Sequence, residues 1–194
     1  AGYPGNETGH YRPLTVLSLV LDGWGGVAPF RYHLTNVVLH ILNSLLAFEV
    51  CRRIGLETVA AGIAGVLFAV HPVHAEVVAG VTFGRSDLLA ALFLFGALIF
   101  YIHSQRSGRW ISYGLSLGIF FLGLLSKESA LTLGGLVVFY DLAFGLRDGV
   151  GWRGVVQVFL RSIPRWVGFG VVFGVCLAVR YLAAGLGFSP GSMS

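Results

Sequence analysis

The chain has 194 residues, 56% of them hydrophobic and 11% charged, with a mean hydropathy of +0.80. That balance excludes an ordinary soluble domain, which could not hide so much apolar surface, and makes lipid the expected surroundings. The formal net charge of +4 is carried almost wholly by arginine, Lys127 being the only lysine, so a lysine-rich nucleic-acid arm is excluded and no nucleic-acid partner is expected.

In chain order, residues 13–21 (PLTVLSLVL) are apolar but too short to span, and read as a juxtamembrane helix near the interface. A Gly-rich turn and Pro29 break the chain, and a first spanning helix is expected over 33–50, ending at Arg52 and Arg53. The run 58–70 meets HPVHAE and resumes as VVAGV. Either Pro72 kinks one long helix to about residue 81, or the second piece dips back as a re-entrant segment. Further helices are expected over 88–102, 110–125 and 130–146. A basic stretch with an interfacial amphipathic piece then leads to a last helix over 166–182. The fold class is therefore all-α, a polytopic membrane bundle of about six spans. Residues 1–32 form a non-cytosolic segment, 33–183 the transmembrane domain and 184–194 a truncated tail. The chain reads as a fragment of a longer protein.

Eight of the thirteen basic residues (Arg52, Arg53, Arg106, Arg109, Arg147, Arg153, Arg161, Arg165) fall on one face of this topology, which is cytosolic by the positive-inside rule. The polar motifs fall on the opposite face: HYRPL (10–14), HPVHAE (71–76), FGRSD (83–87) and LLSKESA (124–130), expected as loops. Ionisable groups at membrane edges are costly and tend to line sites, so their convergence marks the candidate site. His33, Asn36, His40 and Asn43 recur at steps of three and four along one stripe of the first spanning helix, a pattern best suited to interhelical hydrogen bonding. His71, His74 and Glu76 are acceptable metal-ligand types, but the spacing is not HExxH and Pro72 interrupts a helix; a divalent ion is the weaker reading and no metal site is assigned. Cys51 and Cys176 show no metal or redox spacing. Asn6-Glu7-Thr8 is an N-glycosylation sequon, a pattern common by chance.

The succession HYRPLTVLSLVLD, YHLTNVVLHILNSLL, LFAVHPVHAEVVAGVTFGRSDLLAALFLF and LLSKESALTL followed by VVFYDL resembles the transmembrane and tetratricopeptide-repeat-containing O-mannosyltransferase family and its bacterial relatives, over about residues 10–145. The resemblance implies a membrane glycosyltransferase of the class C fold. Such an enzyme moves a sugar from a polyprenyl-phosphate donor, typically dolichyl-phosphate mannose, to Ser or Thr hydroxyls of secretory proteins. It also implies an active face in the endoplasmic reticulum lumen, or the periplasm if the membrane is the bacterial inner membrane. No other cofactor is expected.

That chemistry needs a carboxylate to take the acceptor proton and cations to stabilise the departing phosphate. Arg12, Arg85 and Lys127 are the expected phosphate partners, with Glu76, Asp87 and Glu128 orienting them and His71 and His74 completing the substrate-binding set. Asp87 also reads as a salt-bridge partner of Arg85. Asp22 lies behind an apolar run and has nothing in the sequence to promote it. The resemblance places the acidic catalytic motif ahead of HYRPL and helical repeats beyond the membrane domain, so the general base is expected outside these residues and the chain alone is expected to be inactive. The alternatives are a transporter module and a noncatalytic membrane scaffold.

Overall fold

The computed structural model describes residues 12–24, 26, 28–145 and 152–185, with the side chains of 152–153 and 183–185 outside the description. The sequon, His10, Tyr11, Arg147 and most of the expected tail lie outside the described residues. Within them the chain is helical, with no strand.

Eight α-helices follow one another: α1 Pro13–Gly23, α2 Pro29–Ile54, α3 Thr58–Val70, α4 Val73–Ala79, α5 Thr82–Ser107, α6 Trp110–Ser126, α7 Thr132–Gly145 and α8 Trp152–Gly185. A 3-10 turn over Glu128–Leu131 joins α6 to α7. Prolines open α1 and α2, where the missing N–H costs nothing. Glycines in the left-handed region close α2 and α5: Gly55 has φ 105° and Gly108 has φ 67°.

Among the described residues, four helical segments are long and apolar enough to cross a membrane, the 3-10 turn and α7 counting together as one, and the bent pair α3–α4 makes a fifth span if counted as one. The sixth expected segment is α6, apolar but only 17 residues long. The core lies where α5, α6, α7 and α8 meet, around Tyr101, Phe120, Leu133, Val137 and Phe169. Outside it, large apolar residues such as Ile41, Leu45, Val66, Leu67, Val171 and Leu182 are exposed. In water that surface would be a liability; facing hydrocarbon it needs no cover.

Two expectations change. First, α5 begins at Thr82 rather than near 88, so FGRSD forms the opening turns of a helix and not a loop. Gly84 permits this. A Cβ there would lie 1.7 Å from the Val77 carbonyl oxygen, so only glycine lets α4 fold back against α5 at this distance. Second, the amphipathic piece is continuous with the last helix, α8 running through Pro164 without ending. The chain does break at Pro72, where α3 and α4 meet at 56°.

The stripe on α2 holds this break together. Asn36 Nδ2 donates to the carbonyls of Val78 and Gly80 at 3.1 and 2.9 Å, satisfying backbone oxygens at the free end of α4. Asn43 Nδ2 donates to Leu88 O at 3.0 Å, and His40 Nε2 lies 3.0 Å from Ala69 O. His33 is exposed.

Candidate functional site

The polar motifs gather at one end of the bundle, opposite the end where Arg53, Arg106, Arg109 and Arg165 lie. Three charged assemblies occupy the polar end.

The innermost is built on Arg85, whose side chain is 0% exposed. Its Nη2 donates to Asp22 Oδ2 at 2.6 Å and to Tyr32 O at 3.0 Å, its Nε to Asn36 Oδ1 at 2.6 Å, and its Nη1 to Ser18 Oγ at 3.4 Å. Thr35 Oγ1 donates to the other oxygen of Asp22 at 2.9 Å. One guanidinium thereby ties α1, α2 and α5 together. A charge so far from water persists only when its donors and its counter-ion are in place, and both conditions are met. The expected pairing of Asp87 with Arg85 is thus corrected: Arg85 pairs with Asp22, the acid left without a partner in the sequence reading. On the first turns of α5 the two side chains diverge, Arg85 inward and Asp87 toward the 3-10 turn, where it bonds Lys127.

The second assembly is this Lys127–Asp87 pair, the side chains 26% and 37% exposed. The third is a bridge. Glu128 receives Arg12 Nη2 on Oε2 at 3.1 Å and Arg180 Nη1 on Oε1 at 2.6 Å. Arg180 Nη2 also donates to Leu124 O at 2.7 Å, and Arg12 Nη1 reaches Ser86 Oγ at 3.5 Å. The Nε atoms of both arginines are buried with no partner among the described residues. Arg180 is the member that the sequence reading did not single out. It sits in no motif and arrives from the far end of the chain. Among these ion pairs, four bases meet three acids, leaving a single net positive charge.

Beneath the Lys127–Asp87 pair lies a cavity of about 340 Å³ between α2, the α3–α4 break, α5 and the 3-10 turn. Phe68, Val73, Val77, Leu88 and Leu94 make its walls mainly apolar; His40, Asn43, His74, Asp87, Ser129 and Thr132 supply polar atoms. His40 Nδ1 and Asn43 Oδ1 are buried without partners among the described residues. His74 stacks near His40 and Phe68, with ring centroids 5.2 and 4.3 Å away. His71 lies 6.0 Å from His74, its Nδ1 accepting the Val73 N–H at 3.2 Å, and Glu76 is exposed on α4. The structure therefore brings Arg12, Glu128 and Arg180 together, sets Lys127 and Asp87 beside the cavity with His74, and leaves His71 and Glu76 outside its lining. Among the described residues, no group of three or more His, Cys, Asp or Glu is placed to hold a metal ion.

Among the described residues, the other end carries one buried acid, Asp141. Asp141, 7% exposed, accepts Tyr101 Oη at 2.6 Å and Trp166 Nε1 at 2.9 Å on Oδ2, and Gln105 Nε2 at 3.2 Å on Oδ1. It joins α5, α7 and α8 and is closed to solvent.

Fold and site together define a polytopic, all-helical membrane protein whose charged residues converge above an apolar cavity at one end. The chain is 38% identical to protein O-mannosyl-transferase Tmtc2 of Drosophila melanogaster over 150 residues, covering 73% of this chain and 16% of that protein. It is 35% identical to human protein O-mannosyl-transferase TMTC3 over 136 residues, covering 68% of this chain and 15% of that protein. Against human TMTC4 it is 35% identical over 163 residues, covering 71% and 22%. The chain belongs to this protein O-mannosyl-transferase family, and it spans less than a quarter of the length of these relatives. No family model matches it, and no solved structure does.

Proposed function

We propose that this chain is the donor-binding part of a membrane glycosyltransferase that moves mannose from a polyprenyl-phosphate carrier to Ser or Thr hydroxyls of secretory-pathway proteins, with the polar end facing the lumen of the endoplasmic reticulum or, in a bacterium, the periplasm. The observation that carries the reading is a juxtaposition. An apolar cavity of about 340 Å³ lies directly under the Lys127–Asp87 pair, with the Arg12–Glu128–Arg180 bridge on the same 3-10 turn. A lipid-linked sugar phosphate is an apolar chain ending in an anion, and this end of the bundle offers apolar walls and a net positive charge for its two halves.

In the transfer, the acceptor oxygen bonds to the anomeric carbon, the bond from that carbon to the phosphate oxygen breaks, and the polyprenyl phosphate leaves with the electron pair. The acceptor proton passes to a carboxylate. In this reading the base stands ahead of the HYRPL motif. Arg12, Lys127 and Arg180 stabilise the negative charge that grows on the departing phosphate. Lys127 is held beside the cavity by Asp87, and the two arginines share Glu128. The names of the relatives support mannose as the sugar and a protein as the acceptor.

The test is transfer by the full-length protein that carries this segment, from a radiolabelled polyprenyl-phosphate mannose to a Ser/Thr-rich acceptor. Incorporation that falls at least about a hundredfold in Lys127→Gln supports the reading. A scaffold would leave incorporation unchanged in that variant.

A further inference from the structure

The Arg12–Glu128–Arg180 bridge is incomplete in a specific way. Each guanidinium has five N–H donors in a fixed fork, suited to side-on engagement of an oxyanion through Nε and one Nη. Glu128 satisfies neither fork. It gives one oxygen to each arginine, at 3.1 and 2.6 Å, through Nη alone, and both Nε groups are buried with no partner among the described residues. A carboxylate shared between two forks runs out of oxygens; a phosphate carries more oxygens and more charge.

The exposures point the same way. The arginine side chains are 17% and 19% exposed, whereas Glu128 is 43% exposed and stands outermost of the three. Glu128 also opens a 3-10 turn between two helices, so its side chain can swing outward without disturbing either. Arg180, by contrast, is anchored from behind by Leu124 O at 2.7 Å, and Arg12 stands at the start of α1, whose Thr15 donates to Ser126 O at 3.2 Å. Each arginine keeps a contact apart from Glu128, Arg180 with Leu124 O and Arg12 with Ser86 Oγ, whereas no side chain other than these two arginines holds the carboxylate among the described residues.

We propose that Arg12 and Arg180 form a phosphate site that Glu128 occupies as an internal stand-in, and that the phosphate of a lipid-linked sugar displaces the carboxylate when it binds. The proposal rests on the transferase reading for the identity of the lipid, and on the bridge alone for the site. Glu128 is then a positioning residue. It keeps two like charges together in the empty site, and its departure is a cost subtracted from donor affinity.

The experiment uses the full-length protein in lipid nanodiscs, with a polyprenyl monophosphate as probe and inorganic phosphate as competitor. Glu128→Gln keeps the size of the side chain and removes its charge. It is expected to tighten the dissociation constant by about two- to fivefold, the scale of one partly exposed ion pair, while Arg12→Gln and Arg180→Gln each weaken it. Structural damage does not raise affinity, so tightening separates displacement from a merely architectural role. Unchanged or weakened binding in Glu128→Gln overturns the proposal. Should that variant fail to fold, binding that survives undiminished in both arginine variants overturns it equally. Inorganic phosphate competing as strongly as the lipid overturns the assignment to a lipid headgroup. Mannose transfer by the wild type without tightening in Glu128→Gln removes the stand-in and leaves the transferase reading standing. Tightening without any mannose transfer does the reverse.

Discussion

Arg85 and the pair Arg12 and Arg180 are all arginines near the same end of the bundle, yet their surroundings assign them different work. Arg85 is fully enclosed, each of its nitrogens has an acceptor, and its carboxylate partner Asp22 is itself only 14% exposed. Arg12 and Arg180 are partly open, share one carboxylate and keep unused donors. A satisfied buried cation is a fastener; a partly open one with donors to spare is what the proposed phosphate site requires. Cost decides which is which, because leaving a charge unpaired far from water is severe and at a wet edge is slight.

That contrast can be broken most sharply at Arg85. Arg85→Met removes the cation and leaves Asp22, only 14% exposed, without its counter-ion, with a loss of about 3 kcal/mol expected in reversible unfolding in mild detergent. A loss below 1 kcal/mol would show that Arg85 is not the fastener described. Next in size is Gly84→Ala, which drives a methyl group into the Val77 carbonyl. Either α4 lifts off α5 or the protein loses about 1 to 3 kcal/mol, and the same unfolding measurement together with hydrogen exchange at the α4 amides would report which. At the other end, Tyr101→Phe deletes one of three donors to Asp141 but leaves Trp166 and Gln105, so the loss should be about 1 kcal/mol in the same unfolding measurement. Smallest in stability are Arg12→Gln and Arg180→Gln, expected to cost less than about 1 kcal/mol each, their effect appearing in function instead.

Much of the fold was legible because its signals are local. Apolar runs, the proline opening of α1 and the break at Pro72 belong to single stretches of chain, and the Asn36, His40 and Asn43 stripe declared itself by period, whereas Pro29 opens α2 instead of breaking the chain ahead of residue 33. The start of α5 was not legible. FGRSD is polar and carries a glycine, which reads as a loop, and only the close approach of Val77 shows why a helix begins there with glycine inside it.

The site divides in the same way. Its end of the bundle followed from arginine topology and motif order, whereas its pairings did not. Asp22 meets Arg85 across 63 positions and Glu128 meets Arg180 across 52, partnerships that depend on how α1, α5 and α8 pack and leave no trace in local spacing. Proximity along the chain favoured Asp87 with Arg85. Side-chain direction on the first turns of α5 sends them apart, one into the bundle and one to Lys127.

The most direct test of the account is a paired measurement on the full-length protein: mannose transfer from a polyprenyl-phosphate donor and the thermal unfolding midpoint, compared between wild type and Arg180→Gln. The predicted result is transfer reduced by about a hundredfold or more at a nearly unchanged midpoint, because Arg180 meets the phosphate and does not hold the bundle together. Full transfer in Arg180→Gln, or a collapse of stability matching that of Arg85→Met, would contradict it.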